Sequence, residues 1–136
     1  MGFRRQAREI ALQILYGLEF EHATPGETRA RFWETQEIPE DVREFADSLV
    51  TGVLGHRADI DQVIEGASTN WRLGRMAIVD RNVLRIATYE LYYRDDIPER
   101  VTLNEAIEVG KRFGAEDSGA FINGILDRIR LTLETR

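Results

Sequence analysis

Arg4, Arg5 and Arg8 open the chain, and Tyr16 follows Arg5 by about three helical turns on the same side of what reads as a helix. Arginine pairs with phosphate oxygens through a fixed fork of N–H donors, and a tyrosine ring offers a face on which a base stacks. Such side chains could hold single-stranded RNA by its backbone and its bases together. Helix starts ordinarily favour acids, because the macrodipole is positive there. Three arginines at that end therefore cost stability, which a nearby phosphate would relieve. Without a ligand the same residues are a solvated helix start, and on these residues alone that plainer reading comes first.

Other chemistries are poorly supplied. No glycine run has dinucleotide-binding or P-loop spacing. The absence of cysteine removes disulfides, thiolate ligands and cysteine nucleophiles. His22 and His56 are the only histidines, too far apart in sequence to suggest a metal site, and each reads as a surface or packing residue. The pairs Asp95-Asp96 and Glu116-Asp117 fall where turns and caps are expected. Nucleophile, base and orienting group do not assemble anywhere. The sequence thus predicts a binding protein rather than an enzyme, with no catalytic residues, metal or cofactor.

The elements that must carry the arginines and the tyrosine are all helical. Ile78–Tyr93 has apolar residues in steps of three and four over about four turns, in a band wider than one stripe. That predicts a central helix with others packed around it. Its polar residues Asp80, Arg81, Arg85 and Glu90 are expected to reach water or a partner. Phe3 to about Phe20 forms a first helix with Ala7, Ile10, Ala11, Ile14 and Leu18 inward. Thr24 and Glu27 have capping-box spacing and start a short helix anchored by Phe32 and Trp33. Pro39 then opens a long helix to about Glu65, in which Gly52 and Gly55 suggest a close crossing. Ser68 or Thr69 caps a turn carrying Trp71 and Leu73. Thr102 and Glu105 form a second capping-box pair, Phe113 points inward, and Gly114 suits a left-handed C-cap. Asp117 or Ser118 caps the last helix, where Phe121, Ile122, Ile125, Ile129 and Leu133 point inward. The expected fold is all-α, with about seven helices.

At 136 residues the chain fits one domain, residues 1–136. Its net charge is −6, from 24 acids and 18 bases. Nine acids and three bases lie between Glu19 and Asp47, which accounts for the whole excess. This argues against a bulk nucleic-acid coat but allows a local basic site, since screening confines charge effects to roughly 10 Å. All the bases but Lys111 are arginine, which codon bias explains more simply than selection for phosphate. With no signal core and no membrane-length apolar run, a soluble cytoplasmic protein is expected.

Five segments in order resemble the NusB family of bacterial transcription antitermination factors. They are RRQAREIALQILY (Arg4–Tyr16), WRLGR (Trp71–Arg75), VDRNVLRIATYEL (Val79–Leu91), IPERVTLNEAIEVGKRFGAEDS (Ile97–Ser118) and FINGILD (Phe121–Asp127). The resemblance covers almost the whole chain and implies two small helix bundles packed across each other. It implies binding, without catalysis, to the boxA element of ribosomal RNA leader transcripts together with NusE, a small-subunit ribosomal protein. The pair would help RNA polymerase resist termination as part of an antitermination complex. Carried over by position, the RNA surface is Arg4, Arg5, Arg8, Tyr16, Asp117 and Phe121. The side that holds NusE is Asp80 with Trp71, Arg75 and Arg85.

On that resemblance the arginines would neutralise phosphates, and Tyr16 and Phe121 would stack on bases. Phe121 also fits a buried position, and Asp117 reads equally as a cap. Three departures from the family pattern stand out: Gln6 within the arginine cluster, Gly119-Ala120 in place of a base beside Phe121, and Gly110 where alanine is commoner. They predict weak RNA binding alone and tighter binding with NusE. The rival readings are a homodimeric or protein-binding helical module, and an RNA-binding factor of ribosomal RNA maturation.

Overall fold

The apolar spacing of residues 78–93 becomes helix α5, with the predicted bounds Ile78–Tyr93. In the computed structural model, which describes residues 2–20, 24–35 and 37–134, six further α-helices accompany it. These are α1 (Phe3–Leu18), α2 (Pro25–Thr35), α3 (Glu40–Gly55), α4 (Arg57–Ala67), α6 (Glu99–Phe113) and α7 (Ser118–Glu134). A 3-10 turn at Leu73–Arg75 precedes α5, and among the described residues there is no strand. His22 lies outside the described residues. No described helix is long and apolar enough to cross a membrane.

α5 packs against α1, α3, α4, α6 and α7, and α2 lies on α1. The result is one small bundle of α1–α3 and another of α4, α6 and α7, with α5 shared between them. Val83, Leu84, Ile86 and Ala87 are buried as the spacing requires. So are Asp80, Asn82, Arg85, Thr88 and Glu90, so α5 is enclosed on nearly every side. Of the four polar residues between the apolar rows, Asp80, Arg85 and Glu90 are shut away from water and only Arg81 stays partly exposed. Glu90 and Arg85 are met from within the protein, by Arg8 of α1 and Thr102 of α6 and by Asp61 of α4 respectively, whereas Asp80 has no counter-charge among the described ion pairs.

Local signals are spent in different ways. Thr24 and Glu27 form the expected capping box, each side chain accepting from the other's backbone N–H at 3.2 Å. The Ser68 hydroxyl accepts from Trp71 N–H and donates to its carbonyl. Thr102 and Glu105, with the same spacing as Thr24 and Glu27, cap nothing. α6 starts a turn earlier, at Glu99, and Thr102 donates to Glu90 while Glu105 accepts from Arg5. The long helix predicted from Pro39 breaks at His56 (φ −119°, ψ 18°), giving α3 and α4.

The glycines act through space rather than handedness, for no described glycine has positive φ. Gly114 ends α6 in an extended conformation (φ −97°, ψ −163°), where a Cβ would strike the Ser118 side chain and the Gly110 carbonyl. Gly52 makes the close crossing the sequence suggests, because a Cβ there would run into the Tyr89 ring. Gly55 faces open space. Gly110 lets Ile122 of α7 press against α6, so glycine there tightens the helix pair rather than loosening it.

Candidate nucleic-acid interface

At the start of α1 the three arginines meet three different environments. Arg8, predicted on the outer side, is only 4% exposed. Its Nε and Nη2 donate to the two oxygens of Glu90, each at 2.8 Å, and Glu90 also accepts from the Thr102 hydroxyl at 2.8 Å. Its fork is fully engaged inside the protein, so Arg8 is not a free phosphate ligand. Arg5 makes a two-pronged pair with Glu105, Nε–Oε1 2.8 Å, and remains partly exposed. That hydrogen bond holds the Glu105 carboxyl below its usual range, against partial desolvation and helped by the charges of Arg5 and Arg8. Arg4 is the open one: its nearest counter-charge is Asp96 at 3.7 Å, both side chains well exposed. Arg4, Arg8 and Arg94 all place a guanidinium against the Phe45 ring, at 4.8, 5.6 and 5.1 Å from its centroid. Carboxylates of α5, α6 and their connection thus supply what a phosphate was expected to supply, and one arginine stays available.

Further along α1, Tyr16 is 41% exposed and leans on Phe20, with ring centroids 5.1 Å apart. It lines an open groove of about 290 Å3 with Leu12, Gln13, Val79 and Phe113. Phe113, predicted inward, is half-buried and lines the same groove. The Arg112 guanidinium lies 5.2 Å from the Phe113 ring centroid and pairs with Glu9 of α1 at 2.9 Å. Lys111 is exposed, its stem against Gly119 at the start of α7. Lys111 thus brings a cation across the α6–α7 hairpin to Gly119, two residues before Phe121. The sequence offers no local reason to single out Lys111 and Arg112, and it reads Phe113 as a core residue. The signal for them is the short Gly114–Asp117 connection, which folds the end of α6 back onto α7.

Asp117 is exposed at the start of α7, and Phe121, one turn on, is half-buried. Phe121 lines a groove of about 230 Å3 with Trp71, which is 52% exposed, and with Arg128. Residues assigned to RNA and to the partner therefore meet in one place rather than on separate sides. Arg75 is exposed on the 3-10 turn. Arg85 is not available to a partner: it is 5% exposed and donates to both oxygens of Asp61 (2.8 and 3.2 Å) and to Asn82 Oδ1. Glu19, next to the end of α1, completes this cluster by accepting from Arg81 and Asn82.

Asp80, predicted to face a basic residue of the partner, is 7% exposed. Burial pushes its carboxyl above the usual range; a hydrogen bond with Ser118 works against this and the nearby Asp117 charge adds to it. One Asp80 oxygen, Oδ1, is buried with no donor. A raised folded-state pKa means the folded protein holds this proton better than the unfolded chain does. The contribution of Asp80 is therefore most favourable at low pH and falls as pH rises through the gap between the two values. Asp80→Asn should raise the melting temperature at pH 7, and the gain should shrink as pH is lowered toward the carboxylate range. Thermal melts of both proteins across pH check this; a gain independent of pH would contradict it.

Comparison with known proteins agrees with the helical architecture. The NusB family model matches residues 5–130. The transcription antitermination protein NusB of Myxococcus xanthus (strain DK1622) is 52% identical over 137 residues, covering 98% of each chain. Among solved structures, T. maritima NusB superposes with a TM-score of 0.84 at 41% identity, over 93% of this chain and 89% of that one. A crystal structure of antitermination factors NusB and NusE in complex with dsRNA superposes with a TM-score of 0.86 at 28% identity, over 97% and 98% of the two chains.

Proposed function

The chain belongs to the NusB family, and on that premise we propose that it is an RNA-binding transcription antitermination factor acting with NusE. The RNA is the boxA element of nascent ribosomal RNA, and the pair helps RNA polymerase resist termination. The observation that carries the reading is the groove that Tyr16 and Phe113 both line, with Arg112 against the Phe113 ring. Exposed aromatic faces beside cations suit unstacked bases on a charged backbone. Arg4 and Lys111 take phosphates, while Arg5 and Arg112 do so only by competing with Glu105 and Glu9. Phe121 and Trp71 line the groove where transcript and ribosomal protein come closest, with Arg75 on the NusE side. Arg8, Arg85 and Asp80 support these surfaces from beneath. The activity proposed is binding without catalysis, in the cytoplasm.

The net charge of −6 opposes a polyanion, and the counter-charges already inside the fold leave few free cations. RNA binding by the protein alone is expected to be weak, and tighter when NusE contributes its own contacts. Titration of labelled boxA RNA, and of a scrambled RNA of equal length, with and without NusE measures this. Equal affinity for boxA in both conditions, or for both RNAs with NusE present, would defeat the proposal.

A further inference from the structure

Between α3 and α5 runs an open groove of about 680 Å3, lined among others by Glu44, Asp47, Gly52, Gly55, His56 and Tyr89. One wall is aromatic. The His56 ring stacks on Tyr93 at 3.9 Å and 17°, and Tyr93 stacks on Tyr89 at 5.6 Å and 25°. Tyr89 reaches into the groove because Gly52 has no side chain to stop it, and beside Gly55 the floor is open. The other wall is acidic. Glu44 and Asp47, three residues apart and so on one face of α3, both line it. Asp47 lines the groove and is partly exposed, and its Oδ1, buried with no donor, leaves the carboxylate incompletely satisfied within the fold. The lining contains no lysine or arginine. Arg29 and Arg94 approach from the rim, but Arg29 donates to Thr51 and Arg94 is held by Asp96 and Ser48.

Carboxylates beside a stacked aromatic wall suit one ligand chemistry in particular. A guanidinium can lie flat on a ring and donate in its own plane to a carboxylate, which an ammonium does less well. A phosphate would be repelled. We propose that this groove receives an arginine side chain of a protein partner. The acidic excess between Glu19 and Asp47 lies partly along its edge, which favours a basic partner segment.

The test is an NMR titration of the 15N-labelled full chain with the peptide acetyl-Gly-Arg-Gly-Arg-Gly-amide, its lysine counterpart and its uncharged citrulline counterpart. Saturable shifts are expected at the amides of Thr51, Gly52, Gly55 and His56. They should be several-fold weaker with lysine and absent with citrulline. Glu44→Gln, an exposed change that leaves the fold alone, and Asp47→Asn should each weaken arginine binding at least about fivefold. Shifts scattered over the acidic surface, equal affinity for lysine, or no effect of Glu44→Gln would overturn the proposal. So would self-association, seen by sedimentation, that Glu44→Gln abolishes, since the occupant would then be a second copy of this chain.

Discussion

Glu90→Ala is expected to destabilise the fold by about 3–5 kcal/mol, because it leaves the Arg8 guanidinium buried and unpaired. Arg8 and Glu90 have side-chain exposures of only 5% and 1%. Neither water nor another carboxylate is well placed to substitute: Glu105 lies 3.8 Å from Arg8 and is already engaged by Arg5. At roughly 3–4 °C per kcal/mol for a domain of this size, the melting temperature should fall by about 10–20 °C. Most of that cost comes from stranding one charge rather than from the intrinsic strength of the pair. Removing both charges, as in Arg8→Met with Glu90→Leu, should therefore recover more than half of it. Thermal melts of the single and double variants decide the point. A double variant as unstable as the sum of the singles would show that the pair stabilises through its own attraction.

The second large effect concerns the transcript. Tyr16→Ala should weaken boxA binding in the presence of NusE by about 1–3 kcal/mol, or roughly 5–150-fold, with helicity unchanged. Tyr16 is substantially exposed and its ring leans on Phe20, itself exposed, so truncation removes little of the core. Arg112→Ala, measured alongside, should weaken binding to all RNAs and lower the salt slope by about one. Anisotropy titrations with circular dichroism controls measure both. A Tyr16→Ala affinity within twofold of wild type would remove base stacking from the account. A combined Arg4/Arg5/Arg8→Ala variant would be a poor probe of the same surface, since the Arg8 change strands Glu90 in the core.

The helices were largely legible because burial follows spacing. Val83, Leu84, Ile86 and Ala87 declare the middle of α5 in their periodicity alone. Arg8 was not legible, for a physical reason. α1 is buried on a second face too, through Leu12 and Leu15, and a charge on that face looks like a solvated one until Glu90 is known to lie opposite. Two buried charges separated by 82 positions each read as surface residues. The break between α3 and α4 was hidden similarly, because Leu49, Val53, Ile60 and Ile64 keep helical step across it. Thr102 and Glu105 show the reverse failure, a local pattern fully present but used in tertiary contacts. At the candidate site, Tyr16 and Arg4 could be read from the chain. Phe113, Arg112 and Lys111 required knowing how the α6–α7 hairpin closes.

Trp71 and Phe121, drawn from opposite ends of the second bundle's sequence, line one groove. Two ligands that meet there share a boundary, and equilibrium thermodynamics then imposes a symmetry on them. By whatever factor the ribosomal protein raises affinity for the leader RNA, the RNA raises affinity for the ribosomal protein. Assembly order would then carry no energetic preference, and a nascent transcript could recruit the protein pair as well as be captured by it.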